Sequence, residues 1–324
     1  LETLGVEFIH LKRAKKKTYA KAIKEASRAA LALFPGLKKK SVFYIDYASR
    51  IIPDAKRIEE VLKEKKADLL YMNNQPSSNL EGILAAKAAG IKCVQHARID
   101  VLLNSFETAS VNEAVDKVIC VSKGVKDSLV KSGVAPQLGA VIYNGIDNGL
   151  TPLTIPSEVR RSLGLKEDSF VIGTVSSLIK RKRVYMLIEA MPEVLKKAGK
   201  KTYCVIAGEG PEGDELKRQA ARLGVADRVI FTGFSNDALS LINAMDVFIL
   251  PSEKEGFSRV ILEAMLMSKP VIAFDIAGVN EAVTDGITGI LLKEEDGRSL
   301  AGAVVSLLNG GKRIRGILCL ATNE

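Results

Sequence analysis

Short apolar runs of strand length alternate with amphipathic stretches of helix length along almost all of the 324 residues, and this rhythm limits the fold more than any other feature. A strand that returns parallel to its neighbour needs a crossover of roughly a dozen residues or more, so the alternation predicts an α/β fold with parallel sheets. In the first half VEFIHL leads to a predicted helix near 14–33, SVFYIDY to one near 54–66, ADLLYM to one near 79–89, and KCVQHA to a longer irregular stretch. KVICVS then precedes a helix near 124–132, and AVIYNG closes the half. Residues 148–168, with Gly149, Pro152, Pro156 and Gly164, interrupt the rhythm and mark a boundary. It then restarts: FVIGTVSS before a helix near 183–198, TYCVIAG before 213–223, RVIFTGF before 236–243, DVFILPS before 257–267, and finally PVIAFD and TGILLK. The expectation is two doubly wound parallel-sheet domains, 1–150 and 151–310, facing across a cleft, with an atypical tail at 311–324. In such sheets ligands sit beyond the carboxyl ends of the strands, so functional residues belong in the loops that follow strands. The chain opens almost directly on a strand and ends without a terminating helix pattern, so both ends are expected to be cut.

Composition removes several function classes. No run approaches the ~18 apolar residues of a membrane span, and residues 1–20 contain no apolar signal core, which predicts neither a spanning nor an exported protein. Cys93, Cys120, Cys204 and Cys319 form no CxxC pair and are expected to be reduced core residues of a cytosolic protein. With only His10 and His96 in the chain, a His-based metal site or Ser-His nucleophile is disfavoured.

The net charge of +9 is uneven: residues 1–150 carry 24 Lys and Arg against 16 Asp and Glu, and the remainder is close to neutral. The excess is densest in Lys12, Arg13, Lys15, Lys16, Lys17, Lys21, Lys24 and Arg28, followed by Lys38, Lys39 and Lys40. Interleaved with Ala, Ile and Leu, such a segment suits an anionic membrane surface or another polyanion, or it is a solvated helix face. Nucleic acid is not expected as a partner, because no aromatic, zinc-finger or helix-turn-helix pattern accompanies the charge.

The most informative segment is Pro251–Ala264, PSEKEGFSRVILEA. A strand ending at Leu250 meets a turn at Gly256 and then a helix whose free amides, near Phe257 to Val260, form an anion site. Glu255 and Glu263, eight residues apart, can address the two ends of one elongated ligand across about two helical turns. Carboxylates suit the vicinal hydroxyls of sugars. Lys180, Arg181, Lys182 and Arg183 follow the first strand of the second domain, where a phosphate would meet them. Gly208-Glu-Gly210-Pro-Glu-Gly213 matches the dinucleotide fingerprint G-x-G-x-x-G in form, but Glu209, Glu212, Asp214 and Glu215 would repel a pyrophosphate, so a tight turn is the better expectation. Asn144-Gly145-Ile146-Asp147 and the polar loop Asn73–Asn79 lie after strands. His96 also ends a strand, as a structural residue or a reactive one.

Read in order, the segments VICVSKGVKDSL, VIYNGID, VIGTVSSLIKRKRVYMLIEA, CVIAGEGPEGDEL, RVIFTGF, DVFILPSEKEGFSRVILEAM and KPVIAFDIAGVNEAVTDGITGILL resemble those of the retaining glycosyltransferases of family 4, over residues 1–308. The resemblance implies a GT-B fold of two facing Rossmann-like domains and transfer of a hexosyl group from a nucleoside-diphosphate sugar to a hydroxyl acceptor, lipid-linked or on a cell-surface glycan. It implies no metal and no cofactor. Glu255, with the amides of Gly256, Phe257 and Ser258, would hold the donor sugar's hydroxyls. Glu263 would hold the ribose, Lys182 the diphosphate, and His96 would lie near the donor sugar. Ser177 stands where the family usually has an arginine, so that contact is absent or comes from Lys180, Arg181 or Arg183. Ser258 replaces a common second glycine. The family's first strand, glycine-rich loop and returning C-terminal helix are missing from the sequence. A cytoplasmic protein, peripheral at the inner membrane face, follows from the resemblance and the basic first half together. The other classes consistent with the residues are a non-catalytic nucleotide-sugar-binding module and sugar-nucleotide epimerisation on the same fold.

Overall fold

The computed structural model describes residues 6–11 and 18–310. The chain divides into two compact units, Leu1–Cys120 with Lys126–Val141, and Val121–Val125 with Ile142–Glu324. The first unit begins with α1 (Thr18–Ala30) and α2 (Pro35–Asp46), which pack on each other, and a π-helical turn (Tyr47–Ile51) runs on into α3 (Ile52–Glu64). Strand and helix then alternate through β1 (Leu69–Asn73), α4 (Leu80–Ala89), β2 (Lys92–Ala97), α5 (Ser105–Ala114), β3 (Lys117–Cys120), α6 (Lys123–Lys131) and β4 (Gly139–Val141). The four strands are parallel in the order β1-β2-β3-β4, with Asn73 level with His96 and His96 level with Ile119. Local chemistry sets the helix ends. Asn104 and Glu107 form a reciprocal capping box at the start of α5, and Gly90, at φ +69°, ends α4 in the left-handed conformation.

Two expected strands are absent from this unit. VEFIHL, at 6–11, is exposed and irregular. SVFYIDY is helical, lying in α2 and the turn after it. The reason is visible in its aromatics: Phe43 and Tyr47, four residues apart, share a helix face and both meet Phe106 of α5, at ring distances of 5.5 and 4.8 Å. Pro35 at the first helical turn also favours that start. Of the expected basic helix, Lys21, Lys24 and Arg28 lie on α1, whereas Lys12, Arg13 and Lys15–Lys17 fall outside the described residues. The same holds for the tail at 311–324.

The second unit contains α7 (Pro156–Ser162), β5 (Phe170–Val175), α8 (Val184–Lys197), β6 (Thr202–Ala207), α9 (Gly213–Arg222), β7 (Val229–Gly233), α10 (Ala238–Ala244), β8 (Val247–Leu250), α11 (Arg259–Leu266), β9 (Val271–Phe274), β10 (Gly289–Leu292) and α12 (Gly297–Leu308). All six expected strands are present. They pair in parallel in the order β10-β9-β8-β5-β6-β7, so the winding reverses between β8 and β5. The described strands of the first unit show no such reversal.

Successive strand residues feed opposite layers of the core. Ile172, Ile206 and Ile249 pack with Leu187, Ile188, Met191 and Val304 on one face. Val171, Val205 and Phe248 pack with Ile242, Met245, Ile261 and Met265 on the other. Burial on both faces explains why these strands read as unbroken apolar runs. Cys93, Cys120 and Cys204 are free and buried, and burial pushes the Cys93 and Cys120 thiols up to about 11.

Phe248 is fully buried in the middle of the six-stranded sheet. Phe248→Ala is expected to cost about 3–5 kcal/mol, the range for an aromatic deleted from a core, read as a lower urea midpoint for the second unit.

Candidate active site

The reversal of strand order between β5 and β8 is where the loops leaving neighbouring strands diverge, and in open α/β sheets it is the place that receives ligands. The loop after β5 is pinned by the one after β6. Ser176 N donates to Ala207 O at 3.0 Å, Leu178 N to Glu209 O at 2.9 Å, and Glu212 N to Leu178 O at 3.0 Å. Gly208, at φ +130°, approaches so closely that a Cβ there would overlap the Ser176 carbonyl oxygen. The glycines of the G-x-G-x-x-G segment thus serve a contact between two protein backbones, in agreement with the expected tight turn.

A short 3₁₀ turn, Lys180–Lys182, delivers the basic cluster and leads through Arg183, at φ +47°, into α8. Lys182 Nζ lies 2.5 Å from Glu255 Oε1, with the two side chains only 13% and 9% exposed. The two loops are also joined by a main-chain bond, Glu253 N donating to Arg181 O at 2.9 Å, and by the Arg181 side chain, whose Nη1 donates to Lys254 O at 2.6 Å. The Arg181 guanidinium stands 3.9 Å from Glu255 Oε2. Arg183 turns instead to Glu295 and Glu253. Among the cations considered in place of an arginine at Ser177, Arg181 is therefore seen beside the carboxylate. Ser177 itself is exposed and forms no side-chain hydrogen bond among the described residues.

Gly256, Phe257 and Ser258 run from Glu255 into α11, with Gly256 and Ser258 buried. Ser258 stands at the N-cap without making a side-chain cap bond. Further along α11, Glu263 is partly buried, and desolvation holds its carboxyl above the usual glutamate range, opposed by Arg259 at 3.9 Å. The hydroxyls of Thr174, Ser176 and Ser252, at or just after the carboxyl ends of β5 and β8, are buried and have no hydrogen-bond partner among the described residues. Unsatisfied buried hydroxyls are uncommon in folded proteins, and here they add donors where a polar ligand would arrive. A cavity of about 430 Å³ opens beside the same loops, lined by Leu178, Gly208, Gly210, Pro211, Lys217 and Phe231.

Lys182, Arg181, Glu255, Gly256, Phe257, Ser258 and Glu263 all belong to this one unit. His96 belongs to the other, near the end of β2. Its Nδ1 meets the Tyr71 hydroxyl, its Nε2 is buried without a partner, and burial first, then Arg98, lowers its pKa. Among the described residues no group of three or more His, Cys, Asp or Glu is placed to hold a metal ion.

Three supports of the Glu255–Ser258 segment were not anticipated from sequence. Asn144 Nδ2 donates to Phe257 O at 2.9 Å, and the Tyr143 and Phe257 rings lie 5.0 Å apart. Gly278, at φ +80°, abuts Gly256 so tightly that a Cβ would overlap the Gly256 carbonyl oxygen. Glu281 accepts from the Tyr143 hydroxyl at 3.0 Å and from the amides of Lys123 and Gly124 at 2.7 and 2.8 Å. Burial and this carboxylate together raise the Tyr143 pKa. The available signal was the Gly and Glu following the strand PVIAFD, since a glycine and an acid after a parallel strand suit a site-building loop.

Comparison with known proteins agrees with the geometry. Residues 18–149 match the model for Glycosyltransferase Family 4, and residues 157–315 match that for Glycosyl transferases group 1. The chain belongs to the glycosyltransferases that join these two domains, and its fold is GT-B. It is 34% identical over 214 residues to an uncharacterized glycosyltransferase of Methanocaldococcus jannaschii, covering 64% of this chain and 54% of that protein. It is 29% identical over 262 residues to the UDP-Gal:alpha-D-GlcNAc-diphosphoundecaprenol alpha-1,3-galactosyltransferase of Escherichia coli, covering 76% and 67%. The matched stretch thus spans about half the length of the archaeal relative. Among solved structures, Anabaena HepE in complex with UDP and glucose superposes with a TM-score of 0.70 at 29% identity, covering 78% of this chain and 72% of that one.

Two outcomes test this assembly. Gly278→Ala forces a left-handed backbone and a clash with Gly256 together, so it is expected to lose about 1–3 kcal/mol of stability and weaken binding of nucleoside diphosphates, measured by thermal melting and calorimetry. Glu263 carries a raised folded-state pKa, so the native state binds the proton more tightly than the unfolded chain. Stability therefore falls as pH rises above the ordinary glutamate range, and Glu263→Gln is expected to raise the melting temperature at pH 7 while reducing nucleotide affinity.

Proposed function

We propose that this chain transfers a hexosyl group, with retention, from a nucleoside-diphosphate sugar to a hydroxyl acceptor. The observation that carries the reading is the nearly buried Lys182–Glu255 pair at the reversal of strand order, directly before the Gly256–Ser258 backbone. Without ligand the two side chains neutralise each other. An arriving diphosphate competes for Lys182 and frees Glu255 to accept hydrogen bonds from sugar hydroxyls. Glu263, two turns along, is the matching acceptor for ribose hydroxyls, and its raised pKa means that a hydroxyl donor would relieve an unfavourably placed charge.

The chemistry follows from charge. As the bond between the anomeric carbon and the diphosphate oxygen breaks, negative charge collects on the diphosphate and the sugar becomes oxocarbenium-like. Lys182, Arg181 and the amides of Phe257 and Ser258 supply positive potential there, and donors act most strongly where they are nearly buried, as Lys182 is. The acceptor oxygen forms its bond from the face the diphosphate leaves, and its proton passes to the departing diphosphate oxygen. His96, from the first unit, is proposed to lie near the donor sugar. No metal or other cofactor is invoked.

HepE, whose structure superposes on 78% of this chain, is described with UDP and glucose, so UDP-hexoses head the donor panel. The Escherichia coli relative acts on a diphosphoundecaprenol-linked sugar, which supports a lipid-linked or cell-surface glycan as acceptor and work at the cytoplasmic face of the membrane. No helix among the described residues is long and apolar enough to cross a bilayer. The exposed Ser177 favours a second reading, a module that binds nucleotide sugars without turnover. Arg181 beside Glu255 weighs against it.

Lys182→Ala is expected to lower turnover roughly 10²–10³-fold, the cost of removing one preorganised charge donor at a developing anion, and Glu255→Ala to abolish it, both read as released nucleoside diphosphate. Unchanged rates in both variants would sink the transferase reading. Binding of nucleoside diphosphate by calorimetry without any turnover of the unaltered chain would select the module.

A further inference from the structure

We infer that the turn between α1 and α2 is a membrane-insertion element that seats the first unit on an anionic lipid surface. Three large apolar residues crowd this turn and the start of α2: Leu33, Phe34 and Leu37 are 88%, 59% and 57% exposed. Single exposed apolar residues are ordinary, but three within five positions, at a turn between two helices, mark a contact surface. Pro35 stands within the group and starts α2 rigidly.

Charge names the occupant. Lys38, Lys39 and Lys40 follow Leu37 directly, and no Asp or Glu occurs between Glu25 and Asp46. Lys24 and Arg28 are paired with Asp46 and Glu25, whereas Lys21, Lys38, Lys39 and Lys40 form no ion pair among the described residues. A hydrocarbon tip followed by unpaired ammonium groups fits the boundary of acyl chains and anionic headgroups, with the lysine stems lying along the apolar layer and their charges among the phosphates. A polyanion such as RNA gives Leu33 and Leu37 nothing to bury against. A protein interface would put a run of lysines where lysine is depleted. Between the same two helices an open trough of about 490 Å³, lined by Ala20, Ile23, Tyr44 and Ile45 among others, adds room for acyl methylenes.

This surface gives residues to the membrane-side location proposed above and rests on that reading for its purpose. Its test needs no turnover, so its failure and that of the transferase reading are told apart. The probe is co-sedimentation of the chain with vesicles of phosphatidylglycerol and phosphatidylcholine, against vesicles of phosphatidylcholine alone, at low and high salt. Binding is expected to the anionic vesicles only and to weaken with salt. Replacing Lys38, Lys39 and Lys40 with Gln, or Leu33, Phe34 and Leu37 with Asn, Gln and Gln, is expected to lower partitioning at least ~10-fold. Neither set touches a buried residue, and both should leave the melting temperature and nucleoside-diphosphate affinity unchanged. Equal binding to neutral vesicles, no binding at all, or self-association by sedimentation velocity that the apolar set abolishes would each overturn the assignment.

Discussion

Lys182 and Glu255 hold opposite charges almost out of water, at the only reversal of strand order in the six-stranded sheet. Taking two ions from solvent is expensive, and a buried pair often contributes little net stability compared with apolar residues of the same size. Its persistence at the end of two apolar strands is therefore better explained by what the charges can do than by the cohesion they add. The cost is contained because Glu255 is also approached by Arg181, while the loops carrying both partners are joined by a main-chain bond from Glu253 N to Arg181 O and by the Arg181 side chain on Lys254 O, neither of which involves the Lys182 or Glu255 side chain. A phosphate can take the lysine without the loops coming apart.

That arrangement requires loops that hold their shape when the pair opens. The glycines provide it by letting backbones touch: Gly208 on Ser176, and Gly278 on Gly256. Each lies in a left-handed conformation where a side chain would be both strained and obstructed. Asn144 adds a hydrogen bond to Phe257 and Tyr143 adds a ring contact, so the segment after Glu255 is braced from two directions. Catalytic groups placed on loops gain precision only when such secondary contacts remove their freedom, because small displacements at a reacting centre weaken transition-state stabilisation steeply.

The legible parts of the sequence were those with short-range signatures. The six strands of the second unit appear as apolar runs because a parallel sheet is covered on both faces, most fully at β5, β6, β8 and β9, and Glu255-Gly256-Phe257-Ser258 stands out because a strand, a turn and a helix start follow within a few residues. SVFYIDY misled because its apolar run is too short for periodicity alone to separate strand from helix. Contact of Phe43 and Tyr47 with Phe106 some sixty residues away decides the matter. The bonds of Glu281 to Tyr143 and Gly124 span 138 and 157 residues, and that of Asn144 to Phe257 spans 113. No periodicity or local propensity records such pairs.

The position of Glu263 shows how stability and recognition are traded in this unit. A carboxylate whose pKa is raised mainly by burial, with its cation 3.9 Å away, is a group the fold would hold more comfortably if neutral. Glu255 is different, since it already has Lys182 in contact. The two acids eight residues apart are thus held in different conditions, Glu255 in direct contact with a cation and Glu263 only weakly compensated by Arg259. A ligand with anionic phosphates in its middle and hydroxyls at both ends would reverse the imbalance: the phosphates draw Lys182 away from Glu255, and hydroxyl donors satisfy both carboxylates at once. Hydroxyl recognition by partly desolvated carboxylates is selective because an analogue lacking the hydroxyl leaves the charge unsolvated as well as unpaired. Discrimination between sugar nucleotides and free phosphates would then come from the weakly compensated Glu263 more than from the basic cluster, whose charges attract any anion alike.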